Sequence, residues 1–491
     1  MSSILTNNGA MVALQTMKSI NKNMGQVQSE ISTGKSVGTA RDNAAVWAIS
    51  KTMESDVKGF KGISDSLALG SSTIAVARKA AETVTDLLTD IKGKVVAAQE
   101  ANVDRSKIQT DIAALTDQIA SVVGAAQFNG LNLLKGTESV DVLSSLDRSS
   151  GGAVTSSNIS VARQDLSFDA GSYGTGTNLN ANAVATMGGV VNTAITETLT
   201  LSGTVATGDV QRLKIGDDTV SFTVGATATT DAAADGLAAA INAAGLKGIT
   251  AAFTTGGIVT LSSTRKFEDT ALVFTGSATP AYTGDAALEA RAETVTFSTS
   301  APVSEGDGYR VTIGTQDFSY VAGPNESFED VAKGLKIAID GGALADIETN
   351  VKQDSSTGAW TLQVDNDGAS LAFTATGAAG GKATGGLAGL DKVDVTTKEK
   401  ASAALANIEA LISTSIDAAA QFGSSQKRID IQADFISSLS DSLKAGIGSL
   451  VDANMEEASA RLQALQVQQQ LATQSLSIAN QAPQNILSLF R

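Results

Sequence analysis

Residues 451–479 read VDANMEEASARLQALQVQQQLATQSLSIA, a stretch in which apolar side chains recur at alternating steps of four and three residues. The positions of this apolar seam are Val451, Met455, Ala458, Leu462, Leu465, Ala472, Leu476 and Ala479, with Gln469 interrupting the series. Residues 11–31 carry the same spacing, at Ala13, Met17, Ile20, Met24, Val27 and Ile31. Such a seam is narrow and is buried only against a partner helix. Two seams at opposite chain ends predict that the ends pair and that further copies join them, which favours an assembly protein over an enzyme.

The bulk composition excludes several classes of protein. The chain has 491 residues, enough for roughly three or four domains. Its net charge of −16 argues against binding to nucleic acid and to anionic membranes, both of which need clustered Lys and Arg. No run approaches the roughly 18–20 apolar residues of a membrane span. We therefore expect neither nucleic acid nor a membrane among the partners.

Cysteine and histidine are both absent. Nucleophilic sites of the Ser-His-Asp and Cys-His kinds and His-based zinc sites are therefore ruled out. Carboxylate chemistry remains formally open, although most of the 51 Asp and Glu side chains are expected to be solvated surface groups. The sequence predicts no enzymatic activity, no metal and no cofactor. Residues 1–8 lack a basic segment and a long apolar segment, so they do not form a general secretory signal.

Helical patterns occupy the first quarter of the chain. We predict a first helix from about Asn8 to Ser32, ended by Gly34, and a second helix that Asp42 or Asn43 can cap. Apolar periodicity resumes at Ile63, Leu67, Gly70, Ile74, Ala77, Ala81, Val84, Leu88, Ile91, Val95 and Ala98. A shorter helix with Ile108, Ile112, Leu115, Ile119 and Val122 is followed by a turn at Phe128-Asn129-Gly130.

Composition changes after about Thr137, where Gly, Ser and Thr become more frequent. Residues 138–170 are predicted to form short strands and turns. Residues 171–195, rich in Gly, Asn and Ala, are predicted to form a linker.

An internal repeat occupies residues 196–392. Its first copy contains Gly208-Asp209, Arg212, Ile215-Gly216, Gly236-Leu237, Ile241 and Ile249, which recur 98 positions later as Gly306-Asp307, Arg310, Ile313-Gly314, Gly334-Leu335, Ile339 and Ile347. Each copy is predicted to run strand, strand, helix, strand, strand. The predicted strand residues are Val220, Phe222 and Val224, and the buried helical face is Ala234, Leu237, Ala238 and Ile241, repeated as Ala332, Leu335, Lys336 and Ile339. Two copies are too few for a solenoid, so we predict two tandem α+β domains.

Within the second copy, Ser327 and Asp330 resemble a capping box. The stretch Asp365-Asn366-Asp367-Gly368 faintly resembles a calcium loop, but Gln363 and Thr374 stand where that motif requires Asp and Glu. A tight turn between strands at 361–364 and 370–373 is the better interpretation.

Helical periodicity returns at about Thr397, is interrupted at Gly423, and then continues to about Asn480, with Gly446 and Gly448 as the expected joint. The predicted fold is therefore mainly α. Both chain ends form a coiled coil and a helical rod, and the centre is an insertion of two tandem, β-rich α+β outer domains.

Three motifs of this chain are similar to motifs of one protein family. They are ISTGKSVGTARDNAA at 31–45, QFNGLNLL at 127–134 and ANQAPQNILSLFR at 479–491. All three resemble the bacterial flagellins, the subunits of the flagellar filament. The resemblance covers about 1–170 and 396–491, whereas the middle resembles the variable outer domains of flagellins only loosely.

The resemblance implies an arrangement of four domains. These are a coiled-coil filament-core domain (1–40 with 451–491), a helical rod domain with a β-hairpin (41–175 with 396–450) and two outer domains (190–285 and 286–395). It also implies a secreted, extracellular homopolymer that serves swimming motility and leaves the cell by flagellar type III export with an export chaperone. Hook-associated junction and cap proteins are the other implied partners.

The resemblance implies termini that stay largely disordered until assembly. The same follows physically, because a lone helix with one narrow seam gains too little burial to offset the entropy of ordering. We accordingly predict that Leu476→Asp abolishes polymerisation without unfolding residues 196–392.

Two other functions share some of these features. A hook–filament junction protein would have the same coiled-coil ends, although the ending NILSLFR favours flagellin. A surface adhesin carried by the outer repeats would need a binding platform, for which Trp360, Tyr309 and Tyr320 are the obvious aromatic candidates. Tyr320 aligns with Phe222 across the repeat, which indicates a core position instead.

Overall fold

In a computed structural model, the chain divides into two compact units. The terminal unit comprises Met1–Ser72, Asp141–Val161 and Ser424–Arg491, and the central unit comprises Thr73–Val140 and Ala162–Gly423. The structure describes residues 7–149, 153–186, 189–190, 192–284, 286–342 and 344–488, with only the backbone of 482–488. The N-terminal residues 1–6 and most of the motif at 479–491 therefore lie outside the residues whose side chains are described.

The helices are α1 (Asn8–Thr33), α2 (Ala44–Ala98), α3 (Arg105–Ala125), α4 (Thr230–Ala244), α5 (Phe328–Gly341), α6 (Lys398–Val451) and α7 (Met455–Ser488). The first ten strands are β1 (Gln127–Phe128), β2 (Leu131–Asn132), β3 (Val140–Arg148), β4 (Val154–Val161), β5 (Ala183–Ala185), β6 (Gly189–Val190), β7 (Ile195–Ser202), β8 (Val210–Ile215), β9 (Asp218–Thr223) and β10 (Ile249–Thr254). The others are β11 (Ile258–Ser263), β12 (Thr270–Thr275), β13 (Thr279–Tyr282), β14 (Ala287–Leu288), β15 (Glu293–Phe297), β16 (Gly308–Ile313), β17 (Gln316–Val321), β18 (Ile347–Gln353), β19 (Trp360–Asn366) and β20 (Leu371–Ala378).

Local capping signals set the ends of the first two helices as predicted. Gly34 follows α1 with a left-handed φ of 70°, which glycine adopts without steric cost. Asn43 caps α2, because its side-chain oxygen accepts from the Val46 amide at 3.2 Å. Asp42 instead accepts from the backbone amides of Gly38 and Thr39 and so closes the preceding loop.

The predicted interruptions of the C-terminal helix are wrong. Helix α6 runs without a break through Gly423, Gly446 and Gly448, and the chain leaves helical geometry only at residues 452–454. A glycine inside a helix costs about 1 kcal/mol, which the packing of a long helix offsets. The break occurs where Asn454 accepts from the Glu456 and Glu457 amides and so starts α7.

In the terminal unit, β3 and β4 form the β-hairpin expected near residues 138–170. The hairpin packs on α2 at Gly70, where an added Cβ would lie 2.7 Å from Val142 Cγ1. Gly70 is thus a seam position that must stay small because a strand crosses it. An ion pair between Arg148 and Asp56 ties the hairpin to the same helix.

In the central unit, the predicted helical seam is buried. Eight seam residues of α2 are almost inaccessible to solvent, namely Ile74, Ala77, Ala81, Val84, Leu88, Ile91, Val95 and Ala98. Helix α3 buries Ile112, Thr116, Ile119 and Val123, so its buried face is rotated slightly from the predicted one. The predicted turn is present between β1 and β2, where Asn129 and Gly130 both have positive φ. This is the backbone that a two-residue hairpin turn with Asn-Gly adopts.

The two copies of the internal repeat have the same architecture. The first copy has two antiparallel sheets, in the orders β10-β11-β7-β13 and β14-β12-β8-β9, with α4 packed against their common core. The second copy has the orders β18-β19-β15-β5 and β17-β16-β20-β6, with α5 in the equivalent place. The predicted helical faces are buried in both copies, and the capping box of Ser327 and Asp330 is present.

Two predictions for this region need correction. The central part of each copy has three strands before its helix and three after it, one more on each side than expected, and two further short strands complete its sheets. Residues 171–195 are not a linker, because β5 and β6 lie there and pair with β15 and β20. The predicted tight connection after Asn366 is present, and it joins strands β19 and β20, which belong to different sheets.

Candidate assembly interface

The terminal helices α1 and α7 pack side by side and run antiparallel. Three hydrogen bonds mark the register: Asn7 Nδ2 to the Ala479 carbonyl at 2.8 Å, Gln469 Nε2 to Asn21 Oδ1 at 2.8 Å, and the Ala453 amide to the Gly34 carbonyl at 2.9 Å. Gln469 is the residue that interrupts the apolar seam. A polar pair at such a position fixes the register of two helices, since a slipped pairing would leave it unpartnered.

Most of the predicted seam positions lie between these two helices. Ala13, Ile20, Val27, Ala458, Leu465 and Ala472 are 9% exposed or less. Six more seam residues are half-buried. Those packed against the same cluster are Met17, Met24, Ile31 and Leu462. The other two are Leu476 and Ala479. The two seams therefore bury most of their apolar surface against each other within one chain.

Two predicted positions lie elsewhere. Val451 is buried at the end of α6, where its carbonyl accepts from the Ser36 amide at 2.7 Å. Met455 is the first residue of α7 and is 43% exposed, because the helix break at 452–454 turns it out of the seam. The joint between α6 and α7 is thus held by the loop that follows α1.

A second set of apolar side chains lies off the seam and faces solvent. The members are Met11, Val12 and Leu14 of α1 and Val467, Leu471 and Ile478 of α7, which are 44–68% exposed. Because the helices are antiparallel, residues 11–14 and 471–478 lie at the same end of the pair, whereas Val467 lies nearer its middle, two residues from the Gln469 that pairs with Asn21. We call these six side chains the off-seam patch. The sequence carried a signal for part of it, because Val467, Leu471 and Ile478 keep helical spacing on a face of α7 away from the seam.

Charge is sparse along this helix pair. Arg461 pairs with Glu457 one turn away, and both side chains remain well exposed. The loop after α1 is ordered by Asp42, whose pKa is lowered chiefly by the hydrogen bond from the Thr39 amide. The interface can therefore bury apolar area without stranding a charge.

The described residues contain neither a candidate metal cluster nor a candidate membrane-spanning helix. They contain no group of three or more acidic side chains that could hold a metal ion. Across the same residues, every helix is too short or too polar to span a bilayer.

Family models match both ends of the chain. The bacterial flagellin N-terminal helical region matches residues 4–139, and the bacterial flagellin C-terminal helical region matches residues 405–490. Flagellin A of Rhizobium meliloti is 33% identical over 492 residues, and flagellin B of the same organism is 32% identical over 492 residues. Both alignments cover 100% of this chain and 100% of the relative.

A solved structure also matches. It is the flagellar hook associated protein-3 of Legionella pneumophila, which has a TM-score of 0.31 and 8% identity and covers 82% of this chain and 98% of its own.

Proposed function

Because this chain belongs to the bacterial flagellin family and is a structural subunit of the flagellar filament, we propose that its polymerising element is the antiparallel pair of α1 and α7. The pair presents the off-seam patch to neighbouring copies. The seam residues act one step earlier, by holding the two helices together in the register set by Asn21 and Gln469. The observation that carries the proposal is this set of six apolar side chains, which lie off the seam and are 44–68% exposed.

Burial accounts for the driving force. Each large apolar side chain that leaves water on association contributes about 1.5–3 kcal/mol before the entropy of association is subtracted. Val467, Leu471 and Ile478 share one exposed face of α7, and an exposed apolar stripe of this kind marks an interaction surface. The chain's high negative charge keeps unassembled copies soluble, so association depends on the complementary apolar contacts.

The finer domain division belongs to the same proposal. We infer a filament-core domain (1–40 with 451–491), a rod domain (41–175 with 396–450) and two outer domains built on the repeats (190–285 and 286–395). The separate cores of the two repeats support the last two. Strands β5 and β6 add residues 183–185 and 189–190 to the second of them.

The remaining partners follow from family membership. We propose that hook-associated junction and cap proteins contact the filament ends, that an export chaperone binds the unassembled chain, and that the chain works outside the cell. The flagellins are a structural family, and we propose no catalytic role for this member because the sequence lacks His and Cys. The full-length match to flagellins sets aside the hook–filament junction alternative.

The test compares two valines of equal exposure. Val467 in the patch and Val273 in the first repeat are each 56% exposed. We expect Val467→Asp to raise the critical concentration for polymerisation about 10- to 100-fold, since an apolar contact of about 1.5–3 kcal/mol is lost. Val273→Asp should leave it unchanged. Seeded polymerisation followed by light scattering and electron microscopy measures both variants.

A third variant separates pairing from polymerisation. Leu476→Asp places a charge in the seam and should abolish filaments by disrupting the helix pair. Val467→Asp should leave the helical circular dichroism of the monomer unchanged. Normal filaments from Val467→Asp, or equal loss from Val273→Asp, would refute the role of the patch.

A further inference from the structure

The two repeats depend on strands from outside their central bodies. The body of the first repeat, β7 to β12 with α4, supplies three strands to each of its two sheets. The body of the second repeat, β15 to β20 with α5, does the same. In both cases the fourth strand of each sheet comes from elsewhere in the chain.

The added strands occupy equivalent places. Strand β13 pairs with β7 in the first repeat, and β5 pairs with β15 in the second. Strand β14 pairs with β12, and β6 pairs with β20. Both repeats are therefore completed in the same way, by one strand on each sheet.

The added strands are also equivalent in sequence position. Strand β14 lies 98 residues after β6, which is the spacing of the repeat. Four residues separate β6 from β7, and four separate β14 from β15. Val190 of β6 and Leu288 of β14 stand 98 positions apart, and both are completely buried. Each strand pair is thus the leading segment of the repeat that follows it.

We propose that the two repeats have exchanged these leading strand pairs. The pair β5–β6 precedes the first repeat but completes the second, and the pair β13–β14 precedes the second repeat but completes the first. Each repeat body is an interaction surface whose partner is the other repeat's leading pair, as in recognition by strand addition. The inference rests on the proposed division into two outer domains and adds how they are joined.

The exchange requires the chain to cross twice between the repeats. The crossings are residues 191–194, of which 192–194 are described, and residues 289–292. They touch each other, because Arg291 Nη1 donates to Asn192 Oδ1 at 2.9 Å. Arg291 also donates to both carboxylate oxygens of Asp365 at 2.8 Å each, and Asn192 Nδ2 donates to the Asp367 carbonyl at 2.6 Å.

A second contact reinforces the crossing. Lys266 of the first repeat donates to Glu348 and Asp367 of the second, each at 2.6 Å. The exchange also closes sheet edges that would otherwise present unpaired backbone groups. The two repeats therefore form one interlocked body, and neither is complete without the other.

Disulfide trapping in the full chain tests the exchange, since the chain has no native cysteine. Val184 of β5 faces Thr296 of β15, and the residue 98 positions before Thr296 is Thr198 of β7. Paired antiparallel positions lie within the Cα distance that a disulfide needs. We compare Val184→Cys/Thr296→Cys with Val184→Cys/Thr198→Cys under mild oxidation, using peptide mass spectrometry and non-reducing gels.

The exchange predicts that most Val184→Cys/Thr296→Cys chains form an internal disulfide and that the Thr198 combination forms none. The reverse pattern would overturn the exchange while leaving two outer domains in place. Disulfide-linked dimers from the Thr296 combination would also overturn it, by showing that the strands pass between copies. The readout does not require filaments, so it is independent of the outcome for Val467→Asp.

Discussion

Arg291 and Asp365 form a bidentate ion pair that is almost completely shut off from water. The Arg291 side chain is 6% exposed and the Asp365 side chain 0%. The pKa of Arg291 is raised, first by its hydrogen bonds to Asp365. The pair joins the crossing segment 289–292 to strand β19. Its removal therefore tests how this segment is attached to the second repeat.

Removing Arg291 should destabilise the outer repeats strongly. Arg291→Met leaves the Asp365 carboxylate buried without its main partner, a change that typically costs about 3–5 kcal/mol. Trp360 of β19 packs against the core of the second repeat, so its fluorescence in a Trp47→Phe background follows unfolding in urea. We expect the Trp360 transition to move to clearly lower urea concentration.

An exposed ion pair provides the control. Lys382 and Asp169 lie 3.0 Å apart with side chains 69% and 61% exposed. Lys382→Met should change the free energy of unfolding by less than about 1 kcal/mol, as exposed pairs usually do. Equal effects of the two substitutions would mean that the Arg291 pair is not a structural anchor.

Two equivalent helical glycines should be intolerant of alanine. A Cβ at Gly334 in α5 would overlap the ring of Tyr320, and a Cβ at Gly236 in α4 would overlap the ring of Phe222. We expect Gly334→Ala to destabilise the second repeat by about 1–3 kcal/mol, the usual cost of overpacking. Urea unfolding followed at Trp360 measures it.

Gly25 in α1 is the matched control, since an added Cβ there meets no other atom within 4 Å. Gly25→Ala should be neutral or stabilise α1 by up to about 1 kcal/mol, because alanine is the better helix former. Stabilisation by Gly334→Ala would contradict the packing argument.

These positions illustrate what the sequence could predict. The pair Gly236-Leu237 and Gly334-Leu335 identified the repeat, and the constant spacing predicted both helices with their buried faces. The end of α1 at Gly34 and the turn at Asn129-Gly130 followed from backbone preferences that are local to a few residues. Heptad spacing likewise placed most of the seam, because it depends on neighbours within one helix.

The missed features depend on distant partners. Strands β5 and β6 have three and two residues, and their partners lie more than 100 positions away. Their Gly- and Ala-rich sequence therefore carried no strand signal. Local helix propensity predicts the joint between α6 and α7 at glycines, because glycine is a poor helix former. Contacts with the loop after α1 instead fix the joint at residues 452–454. Heptad spacing marks the face that meets a partner helix, whereas the off-seam patch lies on other faces, which that spacing does not report.

Glu326 should make the second repeat less stable at pH 8 than at pH 5. The pKa of Glu326 is raised to about 7, chiefly by burial and further by nearby Asp330. Hydrogen bonds from the Gly323 amide and the Tyr320 hydroxyl oppose this shift. In the unfolded chain a glutamate titrates at about 4.3, so the folded state binds the extra proton between about pH 4.3 and 7. The stability that this proton provides is lost as the pH rises through 7.

We therefore expect the free energy of unfolding at Trp360 to fall by about 1–3 kcal/mol between pH 5 and pH 8, after allowance for partial solvent access. Glu326→Gln should abolish most of this fall, since an amide holds no titratable proton. Glu305→Gln, in an exposed loop nearby, is the control and should keep it. A pH profile that Glu326→Gln leaves unchanged would assign the titration to another group.

Deleting a whole repeat should be tolerated better than deleting two short strands. Removal of residues 191–288 excises 98 residues, which is the spacing of the repeat. It leaves four residues between β6 and β15, the same number that separates β14 from β15 in the natural chain. Strands β5 and β6 then complete the second repeat from a contiguous chain, so the Trp360 transition should persist. Removal of residues 183–190 takes out only eight residues but strips Ala183 and Val190 from the same core and reopens one edge of each sheet. That variant should lose the cooperative Trp360 transition.

Cooperative unfolding after the short deletion, together with its loss after the long one, would show that the second repeat depends on the first repeat's body and not on the leading strands.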